Sequence, residues 1–217
     1  MIAPERKART GRIGLRPTGD GFGTPPFEDG SRVLVRGDRL ARVPGDAVPI
    51  TTLRDAAGFL GLTLTDDPGV GHDLPPYAPD ADLRVDAAAS AALAAWYDFG
   101  HGALRRLADA ATAGDEAVSV TEAQLWPEHF DLAVTAEVPD GRQVNVGFSP
   151  GDGFSAQPYL YVGPHDAGSL VDPFWNAPFG AYVTYEELRS GPDPAAAADT
   201  FINRGLAVAA ASFGGDG

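Results

Sequence analysis

The chain has 217 residues, 44% of them apolar, and its 30 acidic against 16 basic side chains give a net charge of -14. That balance weighs against nucleic acid, whose phosphates are bound largely through Lys and Arg, and leaves a solubilising surface or a face for a basic protein partner. The lack of cysteine excludes disulfides, thiolate nucleophiles and cysteine metal sites, and no run approaches the roughly 18 apolar residues a membrane helix needs.

Lys7 is the only lysine, and Asp, Ala, Gly and Pro are abundant, a composition typical of a GC-rich, actinobacterial genome. The opening "MIAPERKARTGR" has no apolar core of the signal-peptide kind. A cytoplasmic protein forming one compact domain over 1–217 is expected, with no membrane partner.

In chain order, Ile13 and Leu15 alternate in a strand-like way and lead into "RPTGDGFGTPPF". "RVLVRGDRLARV" predicts a hairpin turning at Gly37-Asp38, which also explains its Arg-Gly-Asp tripeptide. "PITTLRDAAGFLG" predicts a short helix capped by Thr51 or Thr52 and ended by Gly61. The Pro-, Gly- and Asp-rich residues 65–86 read as a linker-like loop. A long helix follows from about Asp86 to Thr112, with an apolar stripe of Leu93, Trp96, Gly100, Leu104, Leu107 and Ala111. Its small residues suggest close packing on a sheet. Asp98 and His101 lie off that stripe, where a solvated pair is expected.

"FDLAVTAEVPDGRQVNVGFSP" carries its own register. Pro139-Asp140-Gly141 fits a type I turn closed by a glycine bulge, pairing Val138 with Arg142. Leu132 then faces Phe148, Val134 faces Val146 and Ala136 faces Val144, all apolar. The opposite face pairs Glu137 with Gln143, Thr135 with Asn145, Asp131 with Ser149 and His129 with Gly151. "PYLYVG" predicts a neighbouring strand with Tyr159 and Tyr161 on one face and Leu160 and Val162 on the other. Phe174, Trp175 and Phe179 suggest an aromatic cluster. "TYEELRS" spells a capping box through Thr184 and Glu187. A last helix opened by Asp193 and Pro194 buries Ala198, Phe201, Ile202, Gly205, Val208 and Ala209. The expected class is α+β, a mostly antiparallel sheet flanked by helices.

Polar groups converge at one end of this sheet. Trp126, His129, Asp131, Ser149, Asp152 and Tyr159 are the candidate ligand-binding residues, for a small-molecule pocket on the polar face near His129. His129, with Glu128 or Asp131, could alternatively act as a general base or metal ligand, and an acidic interaction module is the third reading. Metal-ligand spacing is lacking: His129 and His165 would sit about 20 Å apart on regular strands, and neither GDGF copy continues as a calcium loop. No cofactor is indicated. In the bland alternative, His129 orients the loop through backbone hydrogen bonds.

The segments "QLWPEHFDLAV", "NVGFSPGD" and "PYLYVGP" resemble a family of uncharacterised actinobacterial proteins and, more loosely, a domain of unknown function with a "WP-x-HFD" pattern. The resemblance covers most of the chain. It implies that Trp126, Pro127, His129, Phe130, Asp131, Ser149, Gly151, Asp152, Pro158 and Tyr159 belong to the family motif. It implies no activity.

GDGF itself occurs twice, at Gly19–Phe22 and Gly151–Phe154. With Pro17 set against Pro150, Ile13, Gly14 and Leu15 meet Val146, Gly147 and Phe148, and Ile50-Thr51 meets Val183-Thr184 ahead of a short helix. This pattern suggests an internal duplication, 10–112 and 117–213, with two pseudo-symmetric halves.

Overall fold

Antiparallel strands and five helices make an α+β fold in the computed structural model, which describes residues 2–65, 78–113, 119–138, 141–166 and 171–211. The chain divides into two compact units, Met1–Asp98 with Gln124–Phe130 and Phe99–Ala123 with Asp131–Gly217. Among the described residues no helix is long and apolar enough to cross a membrane.

The first unit opens with a helix, α1 (Ile2–Thr10), in a stretch too charged to show an apolar stripe. Gly11 ends it at φ 71°, and Arg9 pins it by lying 3.5 Å over the Phe27 ring and pairing with Asp29 at 2.8 Å. A meander follows of β1 (Arg16–Pro17), β2 (Gly21–Gly23), β3 (Arg32–Arg36), β4 (Arg39–Val43) and β5 (Ala47–Pro49), paired in that order. The strand expected at Ile13 and Leu15 shrinks to one bridge between Leu15 and Leu125. The Gly37-Asp38 turn is as expected, with Arg36 opposite Arg39. In α2 (Leu53–Leu60) the cap is Thr52, whose side chain accepts from the Asp55 amide, and Gly61 closes the other end at φ 68°. Of the linker-like loop, residues 66–77 lie outside the described residues.

The long helix α3 (Ala87–Ala113) starts on Asp86, whose Oδ1 accepts the Ala88 and Ala89 amides. The boundary between the units falls inside it, after Asp98. Trp96, Gly100 and Leu104 are buried, while Leu93, Leu107 and Ala111 are half-buried. Next come β6 (Ser119–Val120), in the second unit, and β7 (Gln124–Trp126), in the first.

The second unit is built on β8 (Asp131–Glu137), β9 (Gln143–Ser149), β10 (Tyr159–Pro164) and β11 (Ala181–Thr184), antiparallel in the order β11-β10-β9-β8-β6. The hairpin register is the one its chemistry demands: Leu132 opposite Phe148, Val134 opposite Val146, Ala136 opposite Val144, Thr135 opposite Asn145 and Glu137 opposite Gln143. Pro139 and Asp140 lie outside the described residues, but Gly141 has φ 83° and the Val138 amide donates to the Arg142 carbonyl at 2.9 Å. One sheet face is closed by helices at glycines. Phe148 of β9 presses on Gly100 of α3, and Val162 of β10 on Gly205 of α5 (Pro194–Ala211), where a Cβ would meet side-chain carbons at 2.6 and 2.8 Å. Arg106 of α3 and Asp199 of α5 join through two hydrogen bonds of 2.8 and 2.9 Å. Between β11 and α5, α4 (Tyr185–Arg189) carries the full capping box of Thr184 and Glu187. The predicted aromatic cluster is divided: Phe174 packs on Trp175 and Phe201, while Phe179 joins Phe154, Tyr159 and Tyr161.

Candidate functional site

Three of the candidates, Trp126, Glu128 and His129, belong to the first unit. Trp126 ends β7, 36% exposed. Pro127 to Phe130 then make a turn, closed by the Phe130 amide donating to the Trp126 carbonyl at 2.8 Å. Phe130 has φ 55°, in the left-handed region that a bulky residue rarely adopts. Its surroundings explain how it stays there: its carbonyl accepts the Tyr97 phenol, and its ring stands edge-on to Tyr97 at 5.7 Å and Phe22 at 5.1 Å. The ladder therefore does not run on to His129. Strand β8 begins at Asp131, and His129 sits exposed in the turn instead of facing Gly151. Glu128 is half-buried, with Oε2 lacking a hydrogen-bond partner among the described residues.

Asp131, Ser149, Asp152 and Tyr159 belong to the second unit and meet on the sheet face opposite Leu132, Phe148 and Val162. The pairing rows set Ala133, Gly147 and Tyr161 side by side across β8, β9 and β10, and place Tyr159 opposite Ser149. Gly147 decides what happens next. A Cβ there would lie 2.5 Å from the Tyr161 ring, so with glycine the ring lies flat across β9 and its hydroxyl donates to Asp131 Oδ2 on β8. Asp131 is only 8% exposed and Ser149 3%. Burial first, then the Asp131 charge and its hydrogen bond, push the Tyr161 phenol well above its ordinary range.

A second phenol and carboxylate stand beside the first. Tyr159 donates to Asp152 Oδ2 at 2.6 Å and also bonds with Ser149; burial and then the Asp152 bond raise its phenol as well. Asp152 Oδ1 accepts the Phe154 and Ser155 amides at 2.8 and 3.1 Å, which folds the GDGF loop around its own carboxylate. Ser149 Oγ accepts the Gly151 amide at 3.2 Å, where φ is 102°. Both phenols are thus hydrogen-bond donors at neutral pH, and both carboxylates are acceptors held in fixed directions. Of these residues the sequence-level site omitted Tyr161. Its signal was present, because "PYLYVG" puts it on the same face as Tyr159 and a glycine inside a strand marks a close approach.

His165 lies at the other end of this sheet, with its backbone amide donating to the Gln143 carbonyl and Nε2 3.0 Å from Asn145 Oδ1. There it borders a half-open hollow of about 260 Å³ with Val138, Arg142, Gln143, Pro164 and Ala209. Six residues of strand separate this hollow from Asp131, about 20 Å. Among the described residues no three His, Asp or Glu side chains converge as metal ligands. Comparison of the chain with protein-family models, with curated proteins and with solved structures gives no match.

Proposed function

We propose that this protein binds a small molecule on the polar face of the second unit's sheet, at the end built from Asp131, Ser149, Asp152, Tyr159 and Tyr161. One observation carries the reading: two phenol-carboxylate pairs, Tyr161 with Asp131 and Tyr159 with Asp152, lie side by side around a buried serine. Burying the Asp131 carboxylate costs desolvation that an apolar residue of the same shape would avoid. Phenylalanine at Tyr161 and alanine at Asp131 would fill that part of the sheet face at less cost. Fixed donors and acceptors retained at such a cost are what a site needs to orient a polar ligand.

The test is a small-molecule panel read by thermal shift and ligand-observed NMR on the wild type, Asp131→Asn, Ser149→Ala, His129→Ala and His165→Ala. Asp131→Asn keeps an acceptor for the Tyr161 hydroxyl and removes the charge. A ligand that stabilises the wild type and is lost in Asp131→Asn and Ser149→Ala supports the reading. Binding that survives both substitutions but falls with His165→Ala moves the site to the hollow and overturns it.

A further inference from the structure

The second GDGF loop ends on a ring in an unusual place. Phe154 is 45% exposed, yet it stands roughly perpendicular to three other rings, Tyr182 at 4.9 Å, Phe179 at 5.0 Å and Tyr159 at 5.9 Å. Perpendicular pairs set the positive edge of one ring against the negative face of another. The three rings also neighbour one another, Tyr159 lying 6.0 Å from Tyr182 and 6.4 Å from Phe179. Phe154 therefore occupies a position flanked by three aromatic side chains, and it reaches that position from an exposed loop. Rotating its side chain outward leaves the loop's own hydrogen bonds intact, because Asp152 holds the backbone amides of Phe154 and Ser155 and not the ring.

The charges that act on Tyr159 at this position are those of Asp152 and Asp131. Asp152 stands at its edge, fixed by the 2.6 Å bond from Tyr159, and the Asp131 charge also acts on that phenol. Two fixed carboxylates disfavour an anion. A hard divalent ion needs six or more oxygen ligands, whereas Asp152 already accepts three hydrogen bonds and the neighbouring groups are rings. Aromatic faces beside a carboxylate suit a large, weakly hydrated cation, which gains from the ring quadrupoles and the negative charge together.

We infer that the ligand of this site is an organic cation, a quaternary ammonium or protonated alkylamine, received by Tyr159, Phe179 and Tyr182 with Asp152 as its counter-ion after Phe154 swings out. The inference rests on the small-molecule reading above and names the ligand's chemistry. The net charge of -14 draws cations toward the protein as a whole.

Choline and its neutral isostere 3,3-dimethyl-1-butanol are the probes, titrated into the full chain and followed by NMR. Choline is expected to bind about tenfold or more tighter than the alcohol, with its methyl signal shifted upfield by the surrounding rings. Asp152→Asn, which keeps an acceptor for the loop amides, and Tyr182→Leu should each weaken choline about fivefold or more, and Phe154→Ala should tighten it by removing the competing ring. Equal binding of choline and the alcohol overturns the cationic assignment and leaves the small-molecule site standing. Choline binding unchanged in both Asp152→Asn and Tyr182→Leu overturns the location. No choline binding to the wild type or to Phe154→Ala at about 50 mM, some hundredfold above typical ligand concentrations, overturns the inference outright.

Discussion

The same four residues, Gly-Asp-Gly-Phe, do different work at Gly19–Phe22 and at Gly151–Phe154. In the first copy the chain reverses at once: Pro17 of β1 pairs with Phe22 of β2, the Thr18 amide donates to the Gly21 carbonyl, and Gly21 and Gly23 are strand residues. Asp20 is exposed and meets Thr18 Oγ1 at 3.2 Å and the Arg36 guanidinium at 3.0 Å. In the second copy the motif lies in the connection from β9 to β10, residues 150–158, where Asp152 gathers two amides and a phenol onto one carboxylate. The motif specifies turning and an oxygen acceptor. The length of the connection decides whether that acceptor meets a guanidinium or a tyrosine.

The glycines at matching positions give the largest contrast. A Cβ at Gly21 would sit 1.9 Å from the Val35 carbonyl oxygen, and backbone cannot retreat as a side chain can, whereas Gly153 has nothing within 4 Å. Gly21→Ala should destabilise the first unit by about 3 kcal/mol in urea unfolding, and Gly153→Ala should stay within about 0.5 kcal/mol. Comparable losses at both sites would mean that the two loops are built alike.

Next in size is an alkaline effect that belongs to the second copy alone. The Tyr159 and Tyr161 phenols are raised, chiefly by burial, so the folded chain holds protons that the unfolded chain releases. The stability is complete below the ordinary phenol value, about 10, and is lost as pH climbs from there toward the folded values. Each phenol contributes a slope of up to about 1.4 kcal/mol per pH unit. Absorbance titration should show the Tyr159 and Tyr161 phenols ionising only with unfolding, and Tyr161→Phe should remove one of these late-ionising groups. Tyrosine ionisation complete near the free value, with no phase tied to unfolding, would break the comparison.

The smallest effect separates the aspartates. Asp152→Ala removes an acceptor of three hydrogen bonds and should cost about 2 kcal/mol, while Asp20→Ala removes an exposed pair and should cost less than about 1 kcal/mol. Thermal unfolding of the two variants side by side measures the gap, and an equal loss would erase it.

Local chemistry is legible in the sequence. The hairpin register from Val138 and Arg142 back to Leu132 and Phe148, the capping box at Thr184, the Thr52 and Gly61 ends of α2 and the Asp193-Pro194 start of α5 each follow from residues a few positions apart. Helix α1 was not legible, because Arg9 finds Phe27 and Asp29 about 20 residues away. Phe130 escaped for the same reason: nothing in "WPEHFD" announces a left-handed phenylalanine, and the contacts from Phe22 and Tyr97 come from distant segments. One backbone angle there moved His129 out of the strand on which alternation had placed it. Half of the candidate site was nonetheless readable, since alternation alone put Asp131, Ser149 and Tyr159 on one face.

By itself, the sequence determined the α+β class, the turn positions, the caps and the face each strand residue occupies, because these depend on periods of 2 and 3.6 residues and on turn chemistry. Tertiary structure decided what those faces do. Tyr161 reaches Asp131 only because β10 pairs with β9 at Gly147 and β9 with β8 at Ala133, and Phe154 meets Phe179 and Tyr182 only because β11 returns beside β10. Such contacts join residues about 30 apart, and no local period along the chain encodes them.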